Sequence, residues 1–396
     1  MSGPPPQVWL NTLLTLIRDA QLALLHGWHT LGLSGDIHGQ PAWPWTRRIA
    51  GETLLIDLGL ARQLAYSLLA IAVALACVVI AGLWRRRRLP WLGVAALALV
   101  LAPWPSPALL FTPATPTSFH TSPTRFSVTT IAAGARIYAQ HCVTCHGADG
   151  RGEGLAVTTL TRWPPTFASP LLGRRAEGEL FWHIADGLRD GQGQPTMPAF
   201  GGRIDDAGTW AVIDYIKALA AGTGAATQDS WPIPLRLPEV TVRCGHDAPR
   251  PLAAWRGTQR VRVVAFDGPA DALPLEDPRF LTLLVTRDAR PLAHVPQFRA
   301  GCVALSTDAW PAFARIAGTE ASQLSGVSLL ADGRGWLRAR APAGRDAWRE
   351  TDLLCTTGQA GTPPPVAQPA PRDGLTALLL RMDAEPVRFV QGGFVH

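Results

Sequence analysis

The chain has 396 residues, 47% of them apolar and only 17% charged. That is enough for two or three domains, and it reads as a globular protein with a membrane part. The net charge of +6 does not mark a nucleic-acid binder. Four of the positive charges are the run Arg85 to Arg88, and residues 126–222 carry eight basic against nine acidic side chains. Arg outnumbers Lys 35 to 1, with Lys217 the only lysine, which reflects genomic composition and not function.

Asn11 to His26 is apolar over much of its circumference but carries Arg18 and Asp19. Residues 1–62 are therefore expected to be an interfacial, amphipathic segment. His26 and His29 lie three apart there, with His38 nearby; they read as interfacial polar groups, and no metal or haem is assigned to them. No basic-then-apolar start with a small-residue cleavage site is visible, so the apolar run that follows is expected to direct insertion. Gln63 to Trp84 holds 22 residues without a charge, enough as a helix to cross about 30 Å of hydrocarbon. Tyr66 and Trp84 stand near its ends, where aromatic belts lie. Residues 89–111 are again uncharged, though Pro103, Pro105 and Pro107 make the far end a poor helix. Arg85 to Arg88, between the two runs, belong in the cytoplasm by the positive-inside rule. Residues 63–111 thus read as a transmembrane helical hairpin with both flanks outside, or else as one span and one interfacial segment. Cys77, inside the first run, is an inert small hydrophobe.

Residues 103–125 are rich in Pro, Thr and Ser, and 112–125 form a semi-rigid tether. A compact unit is expected at 126–222. A Gly/Ala/Thr-rich linker follows at 221–231, and a third unit fills 232–396, interrupted by the Pro-rich stretch 362–371.

Cys142-Val143-Thr144-Cys145-His146 is the motif C-x-x-C-H. Two thiols at this spacing add across the two vinyl groups of haem, and the next residue brings an imidazole to the iron. A zinc site would need two more clustered Cys or His ligands, and none follow at suitable spacing. A redox CxxC would need a strand before it, whereas a helical pattern precedes this one.

The surroundings resemble the monohaem class I cytochrome c family over about 126–222. Gly134 and Tyr138 precede the motif. His146-Gly147-Ala148-Asp149-Gly150-Arg151-Gly152 continues it as a Gly-rich turn, and Trp163-Pro164-Pro165 follows. Next come a helix over Glu177 to Gly187, the run Met197-Pro198-Ala199-Phe200-Gly201, and a last helix from Asp205 to Leu219 with Trp210 and Tyr215. The resemblance implies an all-α domain with one covalent haem c on Cys142 and Cys145. It also implies that His146 is an axial iron ligand, held by a proline carbonyl near Trp163, and that the first and last helices cross at Gly134, Tyr138, Trp210 and Tyr215. Met197 is expected as the second axial ligand: of three methionines it alone lies in this unit, in a loop flanked by Gly191, Gly193, Pro195 and Pro198. His183 is the rival. His141 reads as a surface residue, and His120 lies in the tether. Phe200, Trp163, Phe167 and Phe181 are expected to keep water from the site.

In the C-terminal third, 261–266, 280–287, 302–307 and 327–340 read as strands. The last contains the hairpin turn Asp332-Gly333-Arg334-Gly335. Ala309 to Gly318 and Ala347 to Thr356 read as helices. The order resembles a degenerate thioredoxin-like α/β domain, with no CxxC after the first strand, so dithiol exchange is not expected. Cys244-Gly245-His246 is either a structural thiol or half of a disulfide, or half of a copper site with Cys302 or His294. Cys355 makes the local count odd.

The expectation is a multi-domain, membrane-anchored cytochrome in a bacterial inner membrane, with residues 112–396 on the periplasmic side. It would pass single electrons between redox partner proteins, bound to membrane lipid, with no nucleic acid and no small-molecule substrate. A copper-handling assembly factor and a haem-lending enzyme subunit are the other readings.

Overall fold

The computed structural model describes residues 6–49, 51, 54, 57–170, 172, 175–269, 273–290, 301–345, 347–355, 373–387, 389–390 and 394–395. The chain divides into two compact units, Met1–His120 with Val390–Phe394 and Thr121–Phe389 with Val395–His396.

The first unit is helical. Helix α1, Pro6–Thr30, is longer than its apolar pattern predicts. It buries Leu10, Leu13, Leu14 and Ile17 against Leu60, Ala61 and Leu64 of helix α2, Leu58–Leu83. Asp57 caps α2 by accepting a hydrogen bond from the Leu60 amide at 3.0 Å, so the helix begins ahead of the uncharged run. Beyond Leu64 its apolar residues are largely uncovered: Leu69, Val73, Leu75, Val78, Val79 and Leu83 are all exposed. Among the described residues, α2 alone is long and apolar enough to cross a membrane. Arg85–Arg87 form a single 3-10 turn into helix α3, Arg88–Leu101. That helix packs on α2 through Ala95 and Trp91 against Ala74 and Cys77. With 14 residues it reaches only about 21 Å at 1.5 Å per residue. Trp28, Trp43, Trp45 and Phe119 form an aromatic cluster with ring centroids 4.5 to 5.3 Å apart.

In the second unit, helix α4 (Val128–His141) opens on a capping box made by Ser127 and Thr130. Helices α5 (Glu177–Ala185) and α6 (Asp206–Thr227) follow. Gly134 lets α4 and α6 touch: a Cβ there would lie 2.0 Å from the Ala211 carbonyl oxygen. Tyr138 and Tyr215 meet beside that crossing at 5.1 Å, and Trp210 packs on Phe181 at 4.8 Å. The stretch 221–231 is not a linker. Helix α6 runs through it to Thr227, and Ala220, Ala221, Gly222, Thr223, Gly224 and Ala225 are buried. Small residues suit a flexible tether and a close helix contact equally, and here the second use prevails.

That contact is with the C-terminal part, a mixed sheet of eight strands among the described residues. The strands are β1 Leu235–Arg236, β2 Thr241–Cys244, β3 Arg250–Pro251, β4 Arg260–Ala265, β5 Phe280–Val285, β6 Cys302–Ala304, β7 Ser328–Ala331 and β8 Trp336–Ala341, in the spatial order β1-β8-β7-β4-β5-β6-β2-β3. Strands β4, β5 and β6 are parallel, and the others pair antiparallel. Helix α7, Ala309–Ala317, joins β6 to β7 and lies on α6. A Cβ on Gly222 would sit 1.8 Å from the Arg315 carbonyl oxygen. The Trp231 indole donates to the Ile316 carbonyl at 3.3 Å, and Arg340 donates to the carbonyls of Ala317 and Ala225. At the other end, Val128 N–H donates to the Glu239 carbonyl at 3.0 Å and Glu239 N–H to that of Phe126 at 2.9 Å. Helices and sheet share one continuous hydrophobic core.

Two local expectations are corrected. Ala347 to Thr356 is not a helix in its described part; only Glu350–Asp352 forms a 3-10 turn. A helix α8, Gly374–Ala384, exists where no strong period announced one. It is held by the fully buried Arg338, which donates to the carbonyls of Met382 and Glu385. The Pro-rich stretch 362–371 lies outside the described residues.

Candidate haem-binding site

The site begins where α4 ends. Cys142 is the C-terminal cap of α4, and Val143–His146 form one further helical turn. This puts two unpaired thiols three residues apart with the imidazole next in line. The turn is closed by backbone contacts that only glycine permits. A Cβ on Gly152 would lie 2.1 Å from the Pro164 carbonyl oxygen, and one on Gly154 would lie 2.2 Å from that of Thr144. Gly147, Gly150 and Gly152 all have positive φ, at 79°, 71° and 83°. Tyr138 Oη donates to the Gly147 carbonyl at 2.7 Å, and Phe167 N–H to that of Gly150 at 2.8 Å.

The His146 ring stacks on Phe167 with centroids 4.7 Å apart and planes 16° from parallel. Its Nδ1 is buried and finds no hydrogen-bond partner among the described residues. The bond expected from a proline carbonyl is therefore not formed; the Pro164 oxygen abuts Gly152 instead. Burial lowers the His146 pKa to about 4, so the ring is neutral and keeps a lone pair for a metal. Burial, helped by Cys145, raises Cys142 to about 11, which keeps the thiol protonated. A neutral, partly unsatisfied imidazole beside two free thiols is the donor set a covalently attached haem requires. The residues present fit that group.

Met197 ends the strand Pro195–Met197, which pairs with Leu188–Arg189 so that Leu188 stands opposite Met197. Gly187 has φ 78° and abuts the Met197 carbonyl, where a Cβ would come within 2.6 Å. Met197 is half-buried against the same hydrophobic core that holds Cys142. The rival His183 sits half-buried on α5; burial first, and then the Arg175 charge, lower its pKa to about 4. The His141 ring lies 6.1 Å from that of Phe200, with the planes tilted by 57°. Phe167, Phe181 and Phe200 are buried, but Trp163 is 62% exposed on the loop surface and does not seal the site.

Sequence reasoning missed Thr223. Its hydroxyl donates to the Asp149 carbonyl at 2.5 Å, tying the far end of α6 to the Gly-rich turn. The residue lay hidden in the presumed linker. Cys244 and Cys302 face each other on β2 and β6 and form a disulfide. This uses both thiols of the copper site considered from the sequence, and His294 lies outside the described residues. Among the described residues, no group of three or more His, Cys, Asp or Glu could hold a metal ion.

Comparison with known proteins finds relatives for the helical part that carries this turn. The family described as cytochrome c oxidase, cbb3-type, subunit III matches residues 129–216. Cytochrome c6 of Picosynechococcus sp. is 34% identical over 85 residues, covering 22% of this chain and 69% of that protein. A solved structure, the reducing HAO-like protein complex of Kuenenia stuttgartiensis, is 23% identical and covers 32% of this chain, with a TM-score of 0.23. The match spans 59% of that chain, less than two thirds of its length, and at such a score it bears on neither fold nor function. Through residues 129–216 the chain belongs to the cytochrome c family.

Proposed function

We propose that this protein is a membrane-anchored electron carrier with one haem c, bound covalently by Cys142 and Cys145 and ligated by His146 and Met197. The observation that carries the proposal is the pairing of two free thiols with a neutral, half-buried His146 whose buried Nδ1 lacks a partner among the described residues, all on one helical turn. Such a haem supplies a one-electron couple, and ligation by His and Met raises its potential. The protein's own part is to hold the turn rigid through Tyr138, Thr223 and the close-packed glycines, and to keep water out with Phe167, Phe181 and Phe200. Held by both His146 and Met197, the haem would have no open position for a substrate, so outer-sphere electron transfer to redox partner proteins is the chemistry it would supply.

The uncovered apolar length of α2, with Arg85 to Arg88 beyond its C-terminal end, supports a span with that end in the cytoplasm. Helix α3 is short for a second crossing, so the hairpin reading needs its Pro-containing exit as well. The Cys244–Cys302 disulfide supports an oxidising compartment for the second unit, which agrees with haem attachment on the periplasmic side. The order β6-α7-β7-β8 suits a thioredoxin-like reading, although among the described residues no helix separates β4 from β5.

The test is spectroscopic and gravimetric. Protein made in a host that matures c-type cytochromes should carry the added mass of one haem, lost in Cys142→Ser/Cys145→Ser. Met197→Ala should lose the weak near-infrared Met-to-iron band while keeping the covalent haem. Colourless wild-type protein would end the proposal, and an unchanged near-infrared band would remove Met197.

A further inference from the structure

The C-terminal part is more than a neighbour of the haem-binding helices, because it brings a charge to them. Arg315, in the last turn of α7, places its guanidinium carbon 5.8 Å from the Tyr215 ring centroid. Tyr215 meets Tyr138 at 5.1 Å. Tyr138 in turn donates to the carbonyl of Gly147, the residue after His146. Three contacts thus connect a cation of one part to the iron-binding turn of the other.

Two further observations bear on that charge. Among the described residues no carboxylate forms an ion pair with Arg315, whereas Arg151 and Glu153 on the haem turn stand 3.5 Å apart and offset each other. Arg315 is also only partly exposed, with its backbone wedged against Gly222, so solvent and salt screen it less than a free surface arginine. A basic residue in the last turn of a helix is favourable by itself. A capping role alone, however, would leave the side chain free to point to water, and it lies over Tyr215 instead. Its field reaches Tyr138, where burial dominates in holding the phenol protonated and Arg315 acts in the opposite sense. Cys142, Tyr215 and Asp149 act on the same phenol in the sense opposite to Arg315.

We infer that Arg315 is a tuning residue, a fixed cation lent by the C-terminal domain that favours the reduced over the oxidised state of the haem centre. The inference rests on the haem reading given above. The couple is ferric iron plus one electron giving ferrous iron, with the electron supplied by an external reductant and no proton moved. Reduction lowers the charge at the centre by one, so a nearby positive charge stabilises the product relative to the reactant.

The experiment is a potentiometric titration of the full-length, detergent-solubilised protein, followed by its visible haem bands, with dithionite as reductant and ferricyanide as oxidant. Arg315→Gln should lower the ferrous-to-ferric ratio about three- to tenfold at fixed ambient potential, a shift of roughly 30–60 mV at 59 mV per decade. Arg315→Glu should lower it further, and Arg315→Lys should hold it near wild type. A purely packing role would move Lys and Gln alike, or neither; either result overturns the inference, as does an unmoved midpoint in Gln and Glu variants with intact haem bands. If Arg315→Glu does not fold, the Lys and Gln pair decides. Wild-type protein without haem bands would instead sink the haem reading on which the inference stands.

Discussion

Two long apolar helices, α2 and α6, occupy opposite regimes. Helix α2 has 26 residues, and its apolar side chains from Leu69 to Leu83 lie largely bare. Helix α6 has 22 residues, and Gly208 to Ala225 is buried except at Lys217. Both are rich in Ala, Gly and aliphatic residues. What separates them is the polar minority. In α2 the buried Ser67 hydroxyl donates to the Pro103 carbonyl at 3.0 Å, and no charge lies between Arg62 and Arg85. In α6 three polar side chains have partners elsewhere in the second unit. Asp214 accepts from Thr130 at 2.7 Å, Lys217 pairs with Glu177, and Thr223 reaches Asp149. An apolar helix with partnered polar groups marks a core, whereas one with bare aliphatic faces calls for a solvent of its own kind.

The sharpest way to break this comparison is to remove the cover of α6. Deleting residues 228–396 uncovers α6 and removes the partners of Gly222 and Val128. The expected outcome is loss of haem-loaded protein altogether, read by the haem absorbance of detergent-solubilised membranes. Recovery of a well-folded, haem-loaded 1–227 protein would show that the two parts are independent after all. A narrower probe compares glycines. Gly222→Val forces a Cβ to 1.8 Å from the Arg315 carbonyl and should cost about 3 kcal/mol or more, seen as a large fall in Tm. Gly82→Ala in α2 meets nothing within 4 Å and should be neutral or gain up to about 1 kcal/mol.

The smallest effect concerns Asp214. Burial raises its carboxyl above the usual carboxylate range, outweighing Lys217 and the Thr130 hydroxyl. A folded pKa above the unfolded value of about 3.9 means that its favourable contribution is complete below that pH and lost as pH rises through the raised value. Asp214→Asn should therefore raise Tm at pH 7 by about 2–4 °C more than at pH 4, the shift that about 1 kcal/mol gives in a unit of this size. Equal effects at both pH values would place the cost of Asp214 elsewhere.

The legible parts of this molecule are those where chemistry demands a fixed spacing. Cys142, Cys145 and His146 declare themselves, and Gly134 with Tyr138 and Tyr215 meets at the expected crossing. The uncharged run from Gln63 was equally plain as a long apolar helix, which the chain forms over Leu58–Leu83. Where the determinants are tertiary, the sequence was silent. Gly222 and Thr223 look like a tether until Arg315 and Asp149 are placed beside them. Cys244 could have paired with either of two other cysteines, and the register of β2 on β6 decides for Cys302. Helix α8 depends on Arg338, a buried cation that no periodic pattern betrays.

The pairing of Glu239 with Phe126 and Val128 has a consequence for biogenesis. The strap that closes over the start of α4 comes from far downstream, so a chain emerging vectorially exposes its CxxCH turn well before that strap arrives. Docking of the sheet then closes the N-terminal end of α4 last, a whole helix length away from the turn that carries Cys142, Cys145 and His146.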